Sequence, residues 1–424
     1  MKILLASPYL PWPLNAGGRV ALYSSLVCLQ SDHHFTFVCP VYRESDLADA
    51  AELQRRLPDV KIRAAYCGPP RGAKPAQDDL LIRGLRWGAR QYRKFKHKPQ
   101  TVSIGAGDKQ VPAYPFSPLP GAFIEALTEE LSQGPDLIQA EFAEMLSLGP
   151  WLPRDVPRIF IHHQLHFVYA QRFIAARRIT DYSTYLESRM RLEEENYLRN
   201  FDGVIVFSAE DKGALHGILP SDRIYVSPFP IAGKSPLSRT ESSATHFSFV
   251  GSEEHFPNRD ALEWLTSEVW PQIRKQSPGA ILKVIGPWAE ASKARFSIAG
   301  VEFLGYVPDL DSAVRGSIML VPLRIGSGIR VKLLDAMSQG IPAVSTAIGC
   351  EGIPVVDGVD ILIRDDAAGF ASASVELLNN SELCTAIAHS GAELIARFYS
   401  PGEVRRRRNE IYNAICGAGS RCVS

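Results

Sequence analysis

Two cations and a carboxylate follow a glycine turn in PLRIGSGIRVKLLDAMSQGIPAVST, residues 322–346. Gly326, Ser327 and Gly328 supply a turn in which missing side chains bare backbone N–H groups, and Arg330, Lys332 and Asp335 lie at the start of the helix expected after it. Arg330 and Lys332 are two apart and do not share a helix face. Both can still bend toward a ligand at the amino end, where the helix itself favours negative charge. A diphosphate there would meet backbone donors, a bidentate guanidinium and a point ammonium together. The plainer reading is a capped, solvated helix start. Asp335, three residues beyond Lys332, either pairs with that lysine or accepts the hydroxyls of a ribose.

Other residues with chemistry sit in the first half. In PWPLNAGGRV, Gly17 and Gly18 precede a helical pattern and would let an anion approach backbone N–H groups. Their spacing is not the GxGxxG fingerprint, so a nicotinamide cofactor is not indicated. RIFIHHQLHF sets His162, His163 and His166 at the end of a strand, with His162 and His163 pointing to opposite sides. Adjacent histidines rarely reach one ion together, and with no cysteine or spaced carboxylate to complete a site, no metal is expected. Glu141 in DLIQAEF lies just past another strand and, with Arg19, is a candidate for touching an acceptor. Residues 81–98, LIRGLRWGARQYRKFKHK, interleave basic and aromatic side chains. This pattern suits an anionic membrane surface or a lipid-linked acceptor, and equally a solvated helix with one packed aromatic side. The run Arg405–Arg408 divides in the same way between a membrane and the acids of the first domain.

The elements that must position these groups alternate. Short apolar runs at 2–6, 35–41, 136–140, 158–163 and 201–208 read as strands, with helical spacing between them and a long charged helix expected at about 172–199. After a polar, aperiodic stretch at 231–245 the alternation resumes at 246–252, 280–286, 301–307, 317–323 and 342–346. ALEWLTSEVWPQIRKQ reads as a helix within it. The expected fold is α/β, two doubly wound domains in series: 1–230, a linker at 231–245, 246–400, and a last segment, 401–424. Ligands are then expected in the crevice beyond the carboxyl ends of the strands.

Bulk properties agree. A chain of 424 residues exceeds what one core usually serves. With 46 basic and 46 acidic residues, no global field draws it to nucleic acid. Seven cysteines without a CxxC pair suit a reducing compartment. MKILLASPYLPWP is too short an apolar run for a signal peptide or a membrane span, so a cytoplasmic protein is expected, in peripheral contact with the inner membrane face if segment 81–98 binds it.

Residues 322–352, PLRIGSGIRVKLLDAMSQGIPAVSTAIGCEG, resemble the nucleotide-binding signature of family 4 of the glycosyltransferases. FVGSEEHFPNRDALEWL resembles the first strand and helix of that family's carboxyl-terminal domain, and VEFLGYVPDLDS the strand and loop that meet the donor base. The resemblance is strong over about 246–400 and looser before. It implies a GT-B fold of two Rossmann-like domains facing a cleft, with the acceptor on the first domain and the nucleotide on the second. It also implies retaining transfer of a sugar from a nucleoside-diphosphate sugar to a glycan, lipid-linked or small-molecule acceptor, without a metal or other cofactor, in the manner of polysaccharide biosynthesis.

By the same resemblance the donor residues are Gly17, Gly18, Gly251, Arg259, Gly305, Tyr306, Val307, Gly326, Ser327, Gly328, Ile329, Arg330, Lys332 and Asp335. His163, then His162, faces the donor sugar or phosphate, and the last helix, about 401–415, crosses back to the first domain. Two departures stand out. The family's first glutamate falls in the Gly326–Gly328 turn, leaving Asp335 as the match to the second. The usual Arg and Lys after the first strand of the second domain are replaced by GSEEHFPNR, so Arg330 and Lys332 take their place, with Arg259 in reserve. The rival reading, from another class, is a non-catalytic sugar-nucleotide-binding partner subunit of a transferase complex.

Overall fold

The computed structural model describes residues 1–69, 102–103, 110–111, 117–175, 180–232 and 244–419. The basic segment 81–98, most of the linker and the end of the tail lie outside the described residues. Apolar runs become strands β1 (Lys2–Ala6), β2 (His34–Val41), β3 (Lys61–Tyr66), β6 (Leu137–Glu141), β7 (Arg158–His162), β8 (Gly203–Val206) and β9 (Ile224–Val226), with a small antiparallel pair, β4 (Val102–Ser103) and β5 (Gln110–Val111), apart from them. The first sheet is parallel throughout, in the order β3-β2-β1-β6-β7-β8-β9. The second contains β10 (His246–Val250), β11 (Leu282–Ile285), β12 (Val301–Gly305), β13 (Ser317–Val321), β14 (Ala343–Ser345) and β15 (Leu362–Ile363). It too is parallel, in the order β12-β11-β10-β13-β14-β15.

Every residue of β6, β7, β8 and β13 is buried, as expected for parallel strands covered on both faces by helices. Each sheet reverses its strand order at one place, between β1 and β6 and between β10 and β13. Strands that diverge there leave a crevice beyond their carboxyl ends. The segments after β1, β7, β10 and β13 carry Gly17 and Gly18, His163 and His166, Gly251, and Gly326 and Gly328.

The domains share apolar contact. Leu22 of helix Gly17–Leu29 and Leu333 of helix Val331–Ser338 belong to one buried cluster. Helix Pro401–Gly419 returns to the first domain and buries Ile411, Tyr412 and Ile415 there. Gly203 permits the approach, since a Cβ on it would lie 2.5 Å from Ile415 Cδ1. Polar contacts fix its register: the Arg405 Nε–H donates to Cys28 O, and Asn409 meets His33 and Asp32.

Two expected helices differ in detail. The one expected at 172–199 is observed as His166–Ala175 and Asp181–Leu198. Thr180 starts the second, its Oγ1 accepting from Ser183 N at 3.1 Å. The helix expected at 261–276 runs as Phe256–Trp264, a π-helical turn at Leu265–Val269, and Trp270–Gln276. Pro271, which lacks an N–H for the ladder, follows that irregularity. No described helix is long and apolar enough to cross a membrane.

Candidate functional site

The crevice holds two adjoining cavities of about 360 and 400 Å³. Gly17, Gln164, His255, Ser327, Arg330 and Val331 line both, so they are lobes of one cleft between the domains.

From the first domain, helix Gly17–Leu29 begins at the cleft wall. Its N-cap, Ala16, provides no side-chain acceptor, so the first N–H groups are uncapped beside the first lobe. Both glycines face close neighbours. A Cβ on Gly17 would sit 3.0 Å from Val331 Cγ2 across the domain boundary, and one on Gly18 2.9 Å from Phe142 Cε1.

From the second domain, Gly326 and Gly328 take φ of 141° and 77°, values that favour glycine. A Cβ on Gly328 would lie 3.0 Å from the carbonyl oxygen of His163, so the turn is pressed against the loop after β7. Ser327 Oγ donates to Leu165 O at 3.4 Å in the same contact.

Lys332 lines the first lobe with an exposed side chain and makes no hydrogen bond or ion pair among the described residues. Desolvation in the cleft lowers its pKa. His255 borders both lobes with its side chain still open to solvent, and its pKa falls to about 4, through desolvation in the cleft first and then through the charges of Arg330 and Lys332. Positive charge therefore converges here without a carboxylate to neutralise Lys332.

Arg330 differs from the expected phosphate fork. Its Nη1 donates to the carbonyls of Ser327 and Gly328, and its Nη2 to Ile348 O at 3.1 Å. The end of the guanidinium thus braces the turn. Nε is left, buried and without a partner among the described residues. Burial lowers this guanidinium's pKa to about 10, which still leaves it charged at neutral pH.

The histidines separate as alternation along a strand predicts. His163 lies in the second lobe, 10% exposed, its ring stacked on Phe142 at 3.8 Å and edge-on to Phe207. Its Nε2 meets Glu141 Oε2 at 2.7 Å, and burial lowers its pKa, so the ring is neutral at pH 7. His162 is turned away from the cleft and buried against Glu194, with Nε2 to Oε1 at 2.6 Å. Glu194 also accepts from the backbone N–H groups of His166 and Phe167 and so caps helix His166–Ala175. His162, expected to face the donor, instead has its side chain in a helix cap, away from the cleft.

Glu141 is likewise 1% exposed and sits behind His163, where it cannot meet an acceptor. Arg19 points elsewhere, into a separate cavity of about 240 Å³ with Tyr9, Trp12 and Tyr42, and donates to Trp12 O at 3.3 Å. Several expected donor residues do not line either lobe. Asp335 lies a turn further along its helix; Arg259 is exposed over the Phe256 ring at 5.6 Å; Gly251 is buried, its carbonyl accepting from Trp288 Nε1 at 2.9 Å. Gly305 ends the edge strand β12 and Tyr306 and Val307 follow it, with Tyr306 75% exposed. The run Arg405–Arg408 is largely engaged by protein: Arg406 and Arg407 pair with Glu403, and Arg408 is 1% exposed.

Three features carry no local sequence signal. His255 stands in GSEEHFPNR with nothing beside it that marks a site. Phe142 holds a φ of 70°, rare for a large side chain, where it stacks on His163. Arg172 spans the domains, pairing both Nη atoms with the Glu351 carboxylate and donating to Gly326 O at 2.7 Å. Local pattern could have flagged none of the three, because each depends on contacts distant in sequence.

Residues 244–380, which hold β10 to β15, match the family described as Glycosyl transferases group 1. An uncharacterised 44.6 kDa protein in the cps region of Klebsiella pneumoniae is 22% identical over 420 residues, covering 95% of this chain and 97% of that one. Sucrose-phosphate synthase from Thermosynechococcus elongatus has the same fold, with a TM-score of 0.68 at 14% identity over 99% of this chain and 100% of that one. A TarM mutant from S. aureus, in complex with fondaparinux, alpha-GlcNAc-glycerol and UDP, gives 0.66 at 10% identity over 97% and 100%. Anabaena HepE in complex with UDP gives 0.62 at 11% over 98% and 100%. The architecture is GT-B. The match over residues 244–380 supports a glycosyltransferase.

Proposed function

We propose that this enzyme, on the pattern of family 4, moves a sugar with retention from a nucleoside-diphosphate sugar to a hydroxyl of a glycan, lipid-linked or small-molecule acceptor, without a metal. Lys332 carries the reading. An unpaired ammonium facing an uncapped helix start across a cleft is suited to a diphosphate, and it would stabilise charge as the bond from the sugar to the leaving phosphate breaks. Arg330 adds its field and its Nε edge. The leaving phosphate oxygen takes the proton of the incoming hydroxyl, so no strong protein base is needed. Uridine is the base to test first, because TarM and HepE are similar in fold and were seen with UDP. The K. pneumoniae relative in the cps region supports a polysaccharide acceptor.

Calorimetric titration with UDP, GDP, dTDP and ADP, in EDTA and then in magnesium, tests this. Binding of one diphosphate in EDTA, tighter than its monophosphate, is expected, followed by transfer from the matching sugar conjugate. A folded protein that binds none of the four would overturn the reading.

A further inference from the structure

Behind His163 lies a line of buried polar groups that the donor site alone does not use. Tyr412, on the helix that returns from the second domain, donates its hydroxyl to Gln139 Oε1 at 2.5 Å. Gln139 Nε2 donates to Glu141 Oε1 at 2.5 Å, and Glu141 Oε2 meets His163 Nε2 at 2.7 Å. Tyr412, Gln139 and Glu141 are all at most 2% exposed.

The chain has one consistent polarity. Burial pushes the Tyr412 phenol up to about 12, so it keeps its proton and donates. Gln139 therefore offers its oxygen to Tyr412 and its N–H to Glu141; the reverse orientation would set an amide oxygen against a carboxylate oxygen. A carboxylate only accepts, so Nε2 of His163 must carry the ring proton. Phe142 and Phe207 fix the ring plane. Nδ1 has no hydrogen-bond partner among the described residues and is not sealed from solvent, so it opens on the second lobe. The charged or titratable groups acting on the ring are Glu141, which favours imidazolium, and His162 and Arg408, which oppose it.

We propose that Tyr412, Gln139 and Glu141 are positioning residues that hold His163 as its Nε2–H tautomer, so that Nδ1 accepts a hydrogen bond from a sugar hydroxyl in the cleft. This rests on the transferase reading above. It makes helix Pro401–Gly419 part of the active site, although that helix follows the nucleotide-binding domain in the chain. The hydroxyl belongs either to the donor sugar or to the acceptor.

The test pairs nitrogen NMR with kinetics on the full chain. With histidines labelled in both ring nitrogens and His163→Gln assigning the signal, the wild type should show protonated Nε2 and bare Nδ1. Glu141→Gln offers an amide in place of the carboxylate, so the tautomers should mix or invert. In that variant kcat should fall about ten-fold or more, while affinity for the nucleotide diphosphate stays within about two-fold. Tyr412→Phe keeps the ring in the core and should move both readouts in the same direction by less; it decides the matter if Glu141→Gln does not fold. A parallel loss of donor hydrolysis and transfer places the hydroxyl on the donor sugar; a loss of transfer alone places it on the acceptor. A wild-type ring protonated on Nδ1 would overturn the proposal, as would variants that change neither tautomer nor kcat. If no donor supports transfer, the transferase reading fails, while the tautomer arm still judges the chain of hydrogen bonds.

Discussion

Lys332→Ala is the substitution that best isolates one residue's part. The side chain is exposed in the cleft and braces nothing, so its removal should leave the fold intact. A hydrogen bond to a charged group contributes about 1.5–3 kcal/mol, so affinity for UDP should drop roughly 10- to 100-fold, with a shallower dependence on salt. Titration at two ionic strengths reads both effects; unchanged affinity would place the phosphates elsewhere. Arg330 should behave differently, since its Nη atoms hold the turn's carbonyls and truncation would disorganise the loop as well as remove charge. The sequence showed two cations at a glycine turn. It could not show that the forked end of one is occupied by backbone, because Ile348 comes to it from a separate loop.

Among the elements, helix Asp181–Leu198 allows a clean test of cause. Its start depends on the Thr180 hydroxyl, which lines neither lobe of the cleft. Thr180→Ala should lower stability by about 1 kcal/mol, visible as a lower Tm, with kcat unchanged. A loss of activity at unchanged Tm would mean that this helix has a role in the cleft. The strands of both sheets were legible where they are apolar throughout, because burial on both faces forces that composition. The edge strand β3, reading KIRAAY, and the two-residue β15 escaped, since a half-exposed or very short strand carries too little apolar signal. The single long helix expected at 172–199 is instead two, because charged composition continues through the junction while the cap that divides them is one hydroxyl.

At the scale of the molecule, five histidines among the described residues, at 33, 163, 166, 246 and 255, have pKa values lowered first by desolvation. The unfolded chain takes up protons at these positions near pH 6.5 while the folded chain resists. Their contribution is therefore fully present above about pH 6.5 and is lost as pH falls through that value toward the folded pKa values. Tm should decline between about pH 7.5 and 5, and a flat or rising profile would refute the assignment. Domain closure has its own test. Arg172 ties helix His166–Ala175 to Glu351 and to the Gly326 carbonyl, so Arg172→Ala should open the cleft and raise the radius of gyration in scattering. Saturating UDP should partly reverse that change. An unaltered scattering curve would leave the shared apolar contact between the domains as the dominant tie.

The return of helix Pro401–Gly419 has a consequence for how the chain comes apart. Ile411, Tyr412 and Ile415 are buried among first-domain residues, although they belong to the last segment of the chain. A cut placed between residues 232 and 244 should therefore yield two pieces that elute as one particle and keep their activity. The amino-terminal piece expressed alone would expose the groove that the helix fills and should aggregate. Co-expression of the two pieces should restore it, which makes the enzyme a natural candidate for split-protein reporting.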